Sequence, residues 1–438
     1  SDVCSSDLYA EFASMIPVAG SAYTFTYTTV GEIMAWIIGW DLILEMLMAG
    51  SVISKYWGVY LNDFMRLMGW NANTNLTFGS FHIDIAPIII VAFFTTLLVF
   101  GTKIGARVDG AMTVLKIAIV FFVVIVGFFY VKASNFTPFI PPSQPASTVE
   151  GSSAVTGVMT QPLWQFATGM TPSVYGVPGI LSGAALVFFA FIGFDVVATA
   201  SEETKNPHKN VPLGIGVGML LIIVMYMLVA VVTTGMVSYA DLAKQDSPSL
   251  ATAFELVGAD WAAKIISFGI VLGLATVVMV LLLGLTRIVF AMSRDGLLPR
   301  GLSKTGKHGT PAALQIVVGA VVALVAAFFD IGVLSDMVNI GTLSAFTLVA
   351  ISIPIMRKKR PDLPRAFKMP GSPWIPILIA VANFWLMLNL SVLTWIRFVV
   401  WLVVGFAIYF GYGYWHARLG KGDLTETLSA ETDKAVNG

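Results

Sequence analysis

Long apolar runs decide what this chain can become. Ten of them stand out, at about 31–54, 84–101, 108–131, 179–200, 211–236, 262–292, 312–330, 333–356, 374–393 and 396–416. Each approaches the roughly 20 residues that a helix needs to cross hydrocarbon. The eighth and tenth follow short turns, so they read as tight helical hairpins. Charge is scarce: 11% of the 438 residues are Asp, Glu, Lys or Arg, 57% are hydrophobic, and the mean hydropathy is +0.84. A soluble domain carries about 25% charged residues. Such a chain cannot coat itself with polar surface. It reads as an all-α, multi-pass integral membrane protein whose first partner is the lipid bilayer.

Several function classes are excluded or left without support. The formal net charge is zero, so no basic footprint for nucleic acid exists. Cys4 stands alone, which rules out an intrachain disulfide, and His82, His208, His308 and His416 fall in no metal-ligand spacing. No metal or other cofactor is expected. The chain has no GxGxxG between a strand and a helix, no P-loop and no HExxH. It carries no catalytic constellation, and neither an enzyme nor an ATP-driven pump is encoded in it.

Lysine and arginine placement orients the spans. With the start of the chain taken as cytoplasmic, 17 of the 25 lie in inside segments and six outside, while Lys116 and Arg287 fall within spans. This asymmetry places both ends in the cytoplasm, which predicts a cell-membrane protein with a cytoplasmic C-terminus. The outside loop 132–178 is rich in Pro, Ser, Thr and Gly and predicts little secondary structure. Residues 419–438 form a polar tail. Residues 1–8, SDVCSSDL, differ in character from the rest of the chain and are read as foreign sequence, with 9–418 as the transmembrane domain. No signal for an oligomeric state is legible.

Ionisable groups at membrane depth are expensive and tend to face the bundle interior. In FFAFIGFDVVATASEETKNP, residues 188–207, an apolar helix meets Gly193 and then Asp195. Glycine weakens a helix and aspartate favours N-caps, which predicts a stop near Ile192 and a restart at Asp195. Unwound backbone at this depth must line a protein cavity. There its carbonyls suit an ammonium, and its amides with the new helix start suit a carboxylate. A zwitterionic amino acid fits both; a glycine packing contact with a paired Asp195 is the other reading. Lys116, in GAMTVLKIAIVFFVVIVGFF, lies roughly 9 Å into its span. It is read either as a snorkelling side chain or as a proton carrier. Asp41 and Glu45 in GWDLILE share one helix face, as structural partners of Lys116 or Arg287 or as part of a polar network. Arg287 itself is read as structural or gating.

The segments YAEFASMIPVAGSAYTFTYTTVGE, GWDLILE, FFAFIGFDVVATASEETKNPHKNVP and TRIVFAMSRDGLLP together resemble the amino acid–polyamine–organocation (APC) superfamily. They are closest to bacterial members of its cationic amino acid transporter branch, over Tyr9 to about Leu419. The resemblance implies the LeuT-like fold of twelve helices, the first ten as two inverted five-helix repeats. It implies that the ten runs are family helices 3–12, with helix 1 and most of helix 2 missing. FFAFIGFD then matches the broken sixth helix. Carbonyls of Phe189, Ala190 and Ile192 would receive the substrate ammonium, Phe189 would act as an aromatic gate, and Gly193 and Phe194 would form the unwound turn. Asp195 matches an often acidic position. Lys116 matches the helix-5 lysine that takes the place of sodium in proton-coupled members. The implied function is amino acid import by proton symport with alternating access; exchange of amino acids or polyamines, or sensing without transport, are alternatives. The apolar stretch VVMVLLLG, residues 277–284, favours small or neutral substrates, whereas membership of the branch favours cationic ones.

Overall fold

The computed structural model describes residues 31–70, 74–78, 81–101, 103–146, 157–193, 206–245, 249–306, 310–359, 361, 368–369 and 371–417, with Leu8, Glu11, Tyr23, Thr26 and Tyr27 before them. Ten principal helices fill these residues: α1 Glu32–Leu67, α2 Ile85–Phe100, α3 Lys103–Phe128, α4 Gly176–Val187, α5 Pro207–Met236, α6 Asp260–Arg294, α7 Ala312–Phe328, α8 Ile331–Lys359, α9 Trp374–Leu388 and α10 Val392–Ile408. Each coincides with one of the apolar runs. Two and three residues separate α7 from α8 and α9 from α10, as expected of tight hairpins. Among the described residues six helices are long and apolar enough to span a membrane by themselves, those of α1, α3, α5, α6, α8 and α10. The other four are shorter. At 1.5 Å per residue the 16 residues of α2 reach only about 24 Å, against a hydrocarbon core of about 30 Å.

Helix α1 is the axis of the bundle. Of its apolar stretch 78% is buried, compared with 11% for α3 and 22% for α5, which present broad apolar faces outward. Helices α6 and α8 pack along α1. Glycines let them approach: a Cβ at Gly341 of α8 would lie 3.2 Å from Leu44 of α1. At the other side, α1 meets α10 through a reciprocal pair. Trp40 Nε1 donates to the Trp401 carbonyl at 2.9 Å, Trp401 Nε1 donates to the Trp40 carbonyl at 3.3 Å, and the rings stack at 4.4 Å. Buried indole N–H groups need such partners. A side chain at Gly405 would run into the Trp40 ring.

Two features were not anticipated. Asn75–Phe78 pairs antiparallel with Phe81–Asp84 directly before α2. The loop 132–178 is also better ordered than its composition suggested. Its described parts hold a 3-10 turn at Ala133–Phe136, the helix Leu163–Thr168, and a two-residue strand pair between Gln144–Pro145 and Ser173–Val174.

Glu11, one of the described residues before α1, is held by charge. Glu11 is fully buried and accepts from Arg357 Nε at 2.9 Å and from its Nη2 at 2.5 Å. The Met369 N–H also donates to it at 2.9 Å, and Arg357 donates to the Met369 carbonyl. Leu8, within the stretch read as foreign, is buried in the main core. Removing one partner of such a pair strands the other and costs about 3–5 kcal/mol. Arg357→Ala should therefore lower the apparent melting temperature of the detergent-solubilised protein sharply, with Glu11→Gln in the same chain recovering part of the loss. A melting curve that Arg357→Ala leaves in place would contradict this.

Candidate functional site

The predicted stop near Ile192 is present. Helix α4 ends at Val187 and tightens into a 3-10 turn over Phe188–Phe191. Ile192 then leaves the helix with φ −65° and ψ 137°, and Gly193 takes φ 126°. Only glycine adopts such a φ without a Cβ penalty. A Cβ at Gly193 would meet nothing within 4 Å, so the backbone angle, not crowding, requires glycine here. Phe194 and Asp195, including the expected restart of the helix, lie outside the described residues.

A break frees main-chain groups, and each needs a partner at this depth. Two neighbouring helices supply side-chain partners. From α5, the Tyr226 hydroxyl donates to the Ala190 carbonyl at 2.6 Å, and its ring meets Phe191 edge-on at 5.2 Å. From α8, Asn339 Nδ2 donates to the Leu186 carbonyl at 3.0 Å, while Phe346 meets Phe188 at 5.6 Å. The Phe189 carbonyl accepts from the Ile192 N–H at 3.2 Å. Of the three carbonyls expected to face a ligand, those of Phe189 and Ala190 thus already hold one donor each. A carbonyl oxygen has two lone pairs, so both retain room for a second. The Phe189 ring is half-buried and packs against the main core.

Sequence reading did not single out Tyr226 or Asn339. For Asn339 the signal was present: an amide within DMVNIGTL, in the middle of a predicted span, is the kind of polar residue that marks a bundle interior.

The carboxylates of α1 lie deep in the bundle. Asp41 and Glu45 are both fully buried. Asp41 Oδ2 accepts from the Ser344 hydroxyl of α8 at 2.7 Å, while its Oδ1 has no hydrogen-bond partner among the described residues. Ser344 and Asn339 lie five residues apart on α8. One helix therefore contacts both the α1 carboxylate and the last turn of α4.

Lys116 is half-buried on α3. Its aliphatic stem lies on α6, where a Cβ at Gly273 would be 3.2 Å from Lys116 Cγ. One turn earlier, a side chain at Gly269 would collide with Ile119. Residues 269–273 read GIVLG, a small-xxx-small groove of the kind that lets membrane helices approach closely. The groove seats Ile119 and Lys116 of α3 one turn apart. Arg287 is half-buried towards the C-terminal end of α6. A cavity of about 550 Å³ lies elsewhere, at the C-terminal ends of α3 and α5, bounded by Tyr130, Lys132, Asn135, Met236, Ser238 and Asp241. It shares no residue with the break.

A bundle of apolar helices, one of which ends in a turn held by polar side chains from its neighbours, is compatible with a membrane transporter. The chain belongs to the amino acid permease family of the APC superfamily, whose model matches residues 3–413; these are transporters and not enzymes. It is 42% identical to the branched-chain amino acid permease of Bacillus subtilis (strain 168), over 94% of this chain and 83% of that protein. It is 38% identical to the methylthioribose transporter of the same organism, with the same coverage of both chains. Against the vacuolar cationic amino acid transporter 4 of Arabidopsis thaliana the identity is 34%, over 81% of this chain and 55% of that protein.

The conformation of Gly193 gives a direct test. An alanine there has space but the wrong backbone preference, a strain of about 1–3 kcal/mol. Gly193→Ala should reduce amino acid uptake about ten- to a hundredfold, with a lowered melting temperature but a protein that still folds and reaches the membrane. Uptake within twofold of wild type would show that the turn is not needed.

Proposed function

We propose that the protein imports amino acids across the cytoplasmic membrane by proton symport with alternating access. The observation that carries this reading is the end of α4 in a 3-10 turn that opens at Ile192–Gly193. Non-helical backbone inside a membrane bundle is tolerated where it is buried in protein or lines a cavity, and transporters use such unwound segments to bind substrate. In this reading the carbonyls of Phe189, Ala190 and Ile192 receive the substrate ammonium, Phe189 covers it, and Gly193 with Phe194 forms the turn. Lys116 and Asp195 carry the coupled proton, and Asp41 and Glu45 form the polar floor that α8 ties to the break. The cluster Arg357, Lys358 and Lys359 at the end of α8 favours a cytoplasmic location for that end, and with it a cytoplasmic C-terminus.

Small or neutral amino acids are the proposed substrates. The α6 stretch 277–284 offers no charge, and Val278 and Leu282 are buried in the main core. The similarity to a branched-chain amino acid permease points the same way. The similarity to cationic amino acid transporters supports a second reading, exchange of cationic amino acids or polyamines. Counterflow in proteoliposomes loaded with alanine, leucine, ornithine or putrescine separates the two.

Proton coupling has its own test. Uptake by the complete protein should collapse with a protonophore. Lys116→Ala should lose at least tenfold of the proton-driven uptake while retaining counterflow. Gly273→Val, which pushes the lysine stem out of its groove, should do the same. Unchanged pH dependence of uptake in Lys116→Ala would remove the lysine from the coupling step, and binding without flux would mark a sensor instead.

A further inference from the structure

Asn339 is fully buried, and its two ends are treated differently. Its Nδ2 donates to the Leu186 carbonyl at 3.0 Å. Its Oδ1 is enclosed yet has no hydrogen-bond partner among the described residues. A buried amide with an orphaned acceptor is expensive and calls for a reason. An apolar residue of similar shape would pack in the same place without that penalty. The donor bond fixes the plane of the amide, because both nitrogen and oxygen turn about one torsion. With the nitrogen held at Leu186, the oxygen cannot rotate away to find another donor. It stays beside the last turn of α4, where the helix narrows to the 3-10 turn and then opens at Ile192. The same stretch of α8 is pinned on either side. Gly341 lies against Leu44 and the Asp41 carbonyl of α1, Ser344 bonds to Asp41, and Phe346 packs on Phe188.

We infer that Asn339 is a recognition residue for the amino group of the substrate: held by Leu186, its Oδ1 is a preset acceptor for an ammonium N–H of an amino acid seated at the α4 break. This rests on the break being the substrate site, and it adds a side chain from α8 to a site otherwise assigned to main-chain groups. The missing donor is then the ligand. Binding relieves the orphaned acceptor, so the amide contributes to affinity and to selection for the amino group. A hydrogen bond to a charged group is worth about ten- to a hundredfold in affinity.

The test uses the complete protein and a matched pair of probes. One is the L-amino acid that most stabilises the wild type in a thermal-shift screen; the other is the carboxylic acid that lacks only its amino group. The wild type should prefer the amino acid strongly in competition with labelled substrate. In Asn339→Leu that preference should shrink about ten- to a hundredfold, through weaker binding of the amino acid, with the acid bound as before and the melting temperature of the ligand-free protein kept or raised. Asn339→Ser, too short to hold Leu186 and reach the ligand together, should show the same narrowing and serves if the leucine variant does not fold. A preference that stays at the wild-type value in a folded variant, or equal loss for both probes, would overturn the role of Asn339 alone. A wild type that binds no amino acid would overturn the functional reading on which it rests.

Discussion

In hydrocarbon, every main-chain N–H and C=O must find a partner inside the protein, and the rest of this structure depends on that constraint. It explains why the described spans are helices, and why the shorter ones, α2, α4, α7 and α9, sit among longer neighbours. It also makes the end of α4 informative. There the helix gives up its regular bonds over Phe188–Gly193, and side chains from two other helices take over, Tyr226 at Ala190 and Asn339 at Leu186. An accidental fray would not recruit partners from both α5 and α8.

Close packing without a hydrophobic driving force needs small residues, and the bundle uses them where helices carry function. Gly341 brings α8 onto α1 beside Asp41. Gly269 and Gly273 bring α3 onto α6 at Lys116. In each case the glycine places a polar side chain at a helix contact and not at the lipid face. Asp41, Glu45, Thr276, Thr286, Asn339 and Thr342 are thus buried on α1, α6 and α8, while α3 and α5 carry the apolar surface outward. This places Asp41, Ser344 and Asn339 along one connected path, from the centre of α1 through α8 to the last turn of α4.

Much of this was legible in the sequence because membrane helices announce themselves by length and apolarity. Among the described residues all ten runs correspond to helices, and the stop near Ile192 followed from one glycine in an apolar span. Boundaries were less legible: α1 continues to Leu67, well past its apolar part, because beyond the bilayer polar residues extend a helix as readily. The strand pair Asn75–Phe78 with Phe81–Asp84 went unread because its ladder involves only four residues per strand, too few for periodicity to register. Asn339 and Tyr226 were missed for another reason. Their partners are carbonyls more than 30 residues away in the chain, and nothing local encodes that meeting. The GIVLG groove was readable as a motif, but its occupant, Lys116, was not. The restart at Asp195 lies outside the described residues, so that half of the expected site is carried by the sequence alone.

The central claim is that the opened main chain at the end of α4 is where an amino acid is held. Hydrogen–deuterium exchange on the complete protein, with and without a saturating amino acid that it transports, tests this most directly. The account predicts slowed exchange concentrated in the peptide that spans Phe188–Gly193, with smaller changes around Asn339 on α8. Protection confined to other helices, with the Phe188–Gly193 amides exchanging at the same rate in both conditions, would contradict it.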